Sequence, residues 1–151
     1  MEVYKLLHED HLKVKSLFNE LEDTTETAVR TREHLFANLK MELTLHARAE
    51  EKFFYPRLEP AATTHDLTLE AIEEHKVVKS LLAQLDKEDK GSEEWAAKLT
   101  VLRENVEHHV KEEEEELFKK AKKVLSEEDS ESIAEEIEAF KDEQSALADR
   151  G

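Results

Sequence analysis

Eight histidines stand in 151 residues: His8, His11, His34, His46, His65, His75, His108 and His109. Imidazole is the side chain best suited near neutral pH to carry a proton or to hold a metal ion. Three of these histidines have glutamate four residues on: His46 with Glu50, His108 with Glu112 and His109 with Glu113. Glutamate is so common in this chain that the spacing alone says little. On a helix, however, it sets the two side chains on one face, one turn apart. Cysteine is absent, which excludes disulfides, thiolate metal sites, iron–sulfur clusters and cysteine nucleophiles.

The faces carrying these residues separate the histidines into two classes. His11 lies between Leu7 and Val14, and His46 between Leu43 and Phe53. His75 lies between Ala71 and Val78, and His109 follows Leu102 and Val106. All four therefore sit on apolar stripes at helical spacing and face a core. His108, flanked by Glu104, Asn105, Lys111 and Glu112, faces water together with Glu112. His34 has polar neighbours, His65 falls in a turn, and His8 lies between Tyr4 and Leu12. Burying four imidazoles is costly unless each ring nitrogen finds a partner, and a shared metal site satisfies all four together. Glu50 and Glu113 follow the inward His46 and His109, and a charged carboxylate in that position needs cations beside it.

The elements that must position these groups are helices. Glycine and proline number 2 each, which argues against β-sandwiches, glycine-rich phosphate loops and dinucleotide folds. Periodicity and punctuation predict five helices, at about 2–22, 27–55, 66–86, 93–123 and from Ser126 onward. Pro56 and Pro60 mark the frayed end of the second, and Ser92 and Ser126 are the expected N-caps of the fourth and fifth. Short links within the first and second pairs favour antiparallel neighbours. The expected fold is all-α: an antiparallel up-down-up-down four-helix bundle over 1–125, with a short C-terminal fifth helix over 126–151 as an appendage of the same domain. His11, His46 and His75 each lie about 14–15 Å from the same end of such a bundle, and His109 about 21 Å, so the four meet near one level. Tyr55, about half a turn round from His46 on a straight helix, is set aside from the site.

Four imidazoles and two carboxylates suit iron, zinc, copper or manganese. They are too many for one structural zinc and suit a pair of octahedral ions. With an oxo or hydroxo bridge each ion keeps an open position. Ferritin-like di-iron sites differ, since they use Glu-x-x-His and more carboxylates than histidines.

The combined motifs resemble the hemerythrin-like proteins, the HHE cation-binding domains. They read Asp10-His11, then His46-x-x-x-Glu50-Glu51 with Tyr55-Pro56 following, Glu74-His75, and His109-Val110-x-x-Glu113-Glu114. The match spans about residues 3–120. The resemblance implies a bundle holding two non-haem iron ions, oxo- or hydroxo-bridged. By it, His11, His46, His75 and His109 are terminal ligands, and Glu50 and Glu113 bridge the ions. The oxygen-carrying members have a fifth histidine where this chain has Ala71, so the resemblance is to the bacterial hemerythrin-like branch that lacks it. On this reading the ion nearest His75 keeps an open place beside Ala71.

Asp and Glu number 38 against 22 Lys and Arg, a net charge of −16. That field disfavours phosphate backbones and anionic lipid, so neither nucleic acid nor membrane is an expected partner. No signal peptide or spanning segment is read from the sequence, and the expected location is cytoplasmic. The expected function is binding or sensing of O2, or a response to iron. The alternatives are a di-iron enzyme consuming peroxide or nitric oxide, and a metal-free helical interaction module. The expected ligands are accordingly O2, peroxide or nitric oxide.

Overall fold

The structure is a computed structural model that describes the backbone of residues 1–150 and the side chains of residues 1–147. Helix α1 spans Val3–Glu22. Helix α2 covers residues 29–58 without a break, as Val29–Ala49, a π-helical turn Glu50–Phe54, and Tyr55–Leu58. Helix α3 is His65–Lys87. Helix α4 covers residues 93–124, as Glu93–Glu112, a second π turn Glu113–Leu117, and Phe118–Val124. Helix α5 is Glu127–Arg150. Helices α1 to α4 form the antiparallel four-helix bundle, and α5 packs across α1 and the π-turn region of α2. No helix among the described residues is long and apolar enough to cross a membrane.

Local chemistry sets the helix ends. The Ser92 hydroxyl accepts from the Trp95 amide at 3.1 Å, capping α4. At the start of α5 the Ser126 hydroxyl accepts from the Asp129 amide at 3.0 Å while Asp129 accepts from the Ser126 amide at 3.2 Å, a reciprocal box. The first turn of α1 would leave its amides without partners. Val3 N–H donates to Ser130 Oγ on α5 at 3.0 Å, so the fifth helix closes the first. Helix α2 ends at Leu58 and not at Pro56. The π turn has already changed the hydrogen-bond pattern there, so the missing proline N–H interrupts less.

Two apolar clusters fill the bundle. One gathers Leu7, Phe54, Leu58, Leu117 and Phe118 with Ile133 and Ile137 of α5. The other gathers Phe18, Phe36, Leu39, Leu85, Trp95 and Leu102 toward the opposite end. Arg32 ties the loops at that end: its guanidinium donates to Lys90 O at 2.6 Å and to Thr24 Oγ1 at 2.8 Å, and lies 5.0 Å from the Trp95 ring. Between the two clusters lies a polar layer. Helices α1 and α2 pack closely, as do α3 and α4, whereas the two pairs meet less extensively and leave a groove on each side.

The far cluster supports the fold without touching the polar layer. Leu39, wholly buried there, is expected on truncation to alanine to cost about 2–5 kcal/mol. Urea unfolding of the metal-free chain checks this as a lower midpoint at unchanged slope.

Candidate metal centre

The polar layer is built from the six residues the sequence singles out. His11 on α1, His46 on α2, His75 on α3 and His109 on α4 are all buried, and so are Glu50 and Glu113. The rings of His11 and His46 lie 4.9 Å apart, and those of His75 and His109 4.8 Å apart, both edge to face. Glu50 Oε1 lies 2.9 Å from His46 Nε2 and 3.3 Å from His75 Nε2. Glu113 offers Oε1 to His11 Nε2 and Oε2 to His109 Nε2, each at 3.3 Å. Each carboxylate therefore reaches from one histidine pair to the other. Two groups of these donors lie close enough to hold an ion: Glu50, His75, His109 and Glu113, and His11, His46 and Glu113.

The other face of every imidazole is also held. His46 Nδ1 donates to Asp10 at 2.9 Å, and His75 Nδ1 to Glu51 at 2.9 Å. His109 Nδ1 donates to Glu74 at 2.7 Å, and His11 Nδ1 to Glu114 at 2.5 Å. Each carboxylate sits beside a central residue in sequence but serves the histidine of another helix: α1 to α2, α2 to α3, α3 to α4, and α4 back to α1. Carboxylates behind metal-bound histidines fix the ring and its tautomer and raise its basicity. The signal for this ring was in the sequence, as an acidic residue adjacent to four of the six central positions, one on each helix, about 100° round the helix and so facing the neighbouring one. Lys141 of α5 donates in turn to Asp10.

With Nδ1 engaged outside, Nε2 points inward. His11 Nε2, His46 Nε2, both Glu50 oxygens and Glu113 Oε1 are buried without an aligned hydrogen-bond partner. His75 Nε2 faces His109 Nε2 at 3.2 Å. Buried polar atoms almost always have partners, so several orphans aimed at one region call for cations between them. The donor set, imidazole nitrogen and carboxylate oxygen, fits a pair of first-row metal ions.

Protonation is the alternative way to satisfy the site. Burial pushes His46 and His75 down, but the carboxylates outweigh it. Glu50 and Asp10 hold His46 at about 9, and Glu50 and Glu51 hold His75 at about 9. His11 and His109 are raised in the same way, against burial, by Glu113 with Glu114 and by Glu113 with Glu74. Burial raises Asp10, yet His46 and Lys141 bring it down to about 2. Any metal must displace these protons.

Tyr55 is a correction. Its hydroxyl donates to Glu113 Oε2 at 2.6 Å and lies 3.3 Å from His75 Nε2, inside the centre. The π turn explains the misplacement: it absorbs one extra residue, turning Tyr55 back by about 100° to the face of Glu50. Ala71 packs in the same apolar cluster. The Tyr55 hydroxyl thus lies beside His75, while a cavity of about 10 Å³ remains against Ala71, Glu74, His109 and Glu113. The phenol keeps its proton strongly, since burial and the charges of Glu113 and Glu50 push it well above the ordinary range.

The remaining histidines lie outside. His108 is exposed and near Glu112 and Glu74, at 3.5 and 3.6 Å. His8 is exposed against Glu114, and His65 Nδ1 meets Glu59 O at 2.7 Å in the α2–α3 turn. His34 is exposed. A cavity of about 30 Å³ adjoins all four central histidines and is also lined by Val14, Leu43, Ala47, Val78, Val106 and Val110.

An up-down bundle with such a centre defines a class of metal-binding helical domain, and sequence comparison agrees. Residues 2–121 match the family described as Hemerythrin HHE cation binding domain, and the chain belongs to that family. A relative from Nostoc sp. (strain PCC 7120 / SAG 25.82 / UTEX 2576), a DNA nickase, is 32% identical over 141 residues. The match covers 93% of this chain but 39% of the relative, so the chain spans about two fifths of that protein's length. A solved structure, the Hemerythrin HHE cation binding domain-containing protein from Mycobacterium kansasii, superposes with a TM-score of 0.80 at 26% identity, over 98% of this chain and 91% of that one.

The proton content of the centre gives a pH prediction. Unfolded histidine titrates near 6.5, and His46 and His75 titrate at about 9 when folded. Their stabilisation is complete below about 6.5 and is lost as pH rises through about 9. The melting temperature of the metal-free chain should therefore fall across that window. The metal-loaded chain should resist the fall, because metal replaces the protons. Thermal melts of both forms between these pH values check it, and a flat or rising metal-free curve contradicts the protonated centre.

Proposed function

We propose that the chain is a non-haem di-iron protein that binds or senses O2, or responds to iron supply. In this reading His11, His46, His75 and His109 are terminal ligands, and Glu50 and Glu113 span the two ions. Paired iron supplies reversible electron transfer to small oxygen or nitrogen ligands. The chain's own residues do the rest. Asp10, Glu51, Glu74 and Glu114 orient the imidazoles through Nδ1. The observation that carries the small-ligand reading is the cavity of about 30 Å³ against the four histidines, walled by Val14, Leu43, Val78, Val106 and Val110. Room for one water needs about 10–15 Å³, so this chamber has space for a diatomic or triatomic ligand. Its valine and leucine wall is apolar.

One observation favours the second reading, consumption of peroxide or nitric oxide. Tyr55 places a phenolic proton donor within the centre, hydrogen-bonded to Glu113 at 2.6 Å. A hydrogen-bond donor that steadies negative charge developing on the ligand or on Glu113 belongs to turnover more than to carriage, and the phenol can serve this while keeping its proton. Steady-state peroxide and nitric oxide consumption by the iron-loaded chain and by Tyr55→Phe separates the two. A rate in the parent that Tyr55→Phe lowers about 10²-fold supports the enzyme, and no consumption by the parent supports binding. The nicking activity of the Nostoc relative is not carried over, because a net charge of −16 repels a phosphate backbone.

Metal content tests the ligand set. His109→Ala should lose most of the iron and the visible spectrum of paired ferric ions. His108→Ala, its exposed sequence neighbour, should retain both. Glu74→Ala, which strips the carboxylate behind His109, should fall between them, with affinity lowered about 10–100-fold. Metal analysis with absorption spectra reads all three, and equal losses in His108→Ala and His109→Ala would place the site elsewhere.

A further inference from the structure

The inner cavity lies between the two grooves of the bundle. Leu43, Ala47, His75 and Val78 wall it on one side and also line a groove of about 500 Å³ between α2 and α3. His11, Val14, Val106 and Val110 wall it on the other and line a groove of about 400 Å³ between α1 and α4. A ligand thus has two routes in, each one side chain thick. The two walls differ. On the α1/α4 side Val14 and Val106 are buried and Val110 is half-buried; on the α2/α3 side Leu43 is buried but Ala47 and Val78 are half-buried, and Ala47 presents a single methyl group.

The charges at the two mouths differ more. Four cations line the α2/α3 groove, Lys40, Arg48, Lys76 and Lys79, against one anion, Glu51. Glu51 is already engaged by His75 Nδ1 at 2.9 Å. Lys40 pairs with Asp86 at 2.8 Å and Lys76 with Glu73 at 2.9 Å. Lys79 and Arg48 make no ion pair among the described residues; Arg48 rests 5.8 Å from the Phe140 ring centre. The α1/α4 groove has no such excess of cations: Glu107, Glu114 and Glu115 stand against Lys15 and Lys111, with Glu107 paired to Arg103 at 2.6 Å and Glu114 engaged by His11 at 2.5 Å. On a chain of net charge −16, a cationic mouth over the centre is a local inversion of the field.

We propose that the α2/α3 groove is the route by which small monovalent anions reach the metal centre, recruited by Lys79 and Arg48 and admitted past Ala47. The proposal rests on the di-metal reading of the centre. The cavity volume has space for a ligand of two or three heavy atoms, and the mouth then selects by charge among ligands of equal size. Low-dielectric walls focus the field of such a mouth, which raises the local concentration of anions and their association rate. Neutral diatomics gain nothing from it. The α1/α4 mouth, with three carboxylates beside its two lysines, offers anions a weaker attraction.

Azide is the probe, with the full iron-loaded chain and iron content measured first. Its association is followed by stopped-flow absorption as the azide-to-iron band grows. Lys79→Glu combined with Arg48→Glu should slow azide association about tenfold at low ionic strength, and the gap should close as salt is added. Lys15→Glu combined with Lys111→Glu makes the same change in net charge at the other groove, and should stay within about twofold of the parent. Nitric oxide association should be unchanged in both. Equal slowing in the two double variants would show that net charge acts and not this groove. Greater slowing in the α1/α4 variant would move the route there, and no slowing in either would remove steering altogether. An iron-loaded parent that shows no azide band overturns anion access while leaving the metal reading standing. A parent that holds no iron overturns both.

Discussion

Four hydrogen bonds, each from an imidazole to a carboxylate on another helix, hold the centre of this protein together. Asp10 serves His46, Glu51 serves His75, Glu74 serves His109, and Glu114 serves His11. The links close a circuit through α1, α2, α3 and α4. They fix the rotation of each helix about its axis, because only one rotation brings Nε2 inward while Nδ1 meets its partner. The layer has little apolar material of its own, and the apolar clusters lie above and below it. Its cohesion is therefore electrostatic. Six carboxylates, those of Glu50, Glu113, Asp10, Glu51, Glu74 and Glu114, surround four imidazoles, so even full protonation of the rings leaves negative charge in excess. Lys141 offsets part of it at Asp10. Metal cations, taking the place of the ring protons between the Nε2 atoms and the carboxylate oxygens, would offset it more fully.

The two halves of the centre are related but unequal. Glu50 and Glu113 each open a π turn, and Tyr55 and Phe118 follow at equivalent places. Tyr55 brings a hydroxyl to His75 and Glu113. Phe118 stacks its ring on His11, centroids 6.4 Å apart and nearly parallel. One half thus contains a proton donor where the other has a hydrocarbon face. The two groups of metal-ligating donors therefore have different surroundings despite similar side chains.

Much of this was legible from residue type and spacing. The stripes through His11, His46, His75 and His109 followed from a period of 3.6, and their common level followed from counting to the helix ends. Ser92 and Ser126 announced their helices by cap chemistry. Tyr55 was not legible, because a π turn has no residue signature of its own and reading in ideal steps of 100° carries the error past Glu50. Pro56 misled for the same reason, since its cost depends on the hydrogen-bond pattern that the π turn changes. The carboxylate circuit was half legible: adjacency marked which acids take part, but which histidine each one serves depends on how the helices neighbour one another.

The circuit also fixes an order of assembly. Its links join residues 36, 24, 35 and 103 positions apart, and Lys141 reaches Asp10 across 131. During synthesis from the N-terminus, Asp10 meets His46 early and Glu51 meets His75 soon after. His11 has no outer partner until residue 114 has emerged. Contacts so distant along the chain are paid for in lost chain freedom before they are rewarded, which makes them late events in folding. A nascent chain halted after its third helix carries three of the four imidazoles and one of the two central carboxylates. The complete centre therefore exists only once the fourth helix has returned to the first.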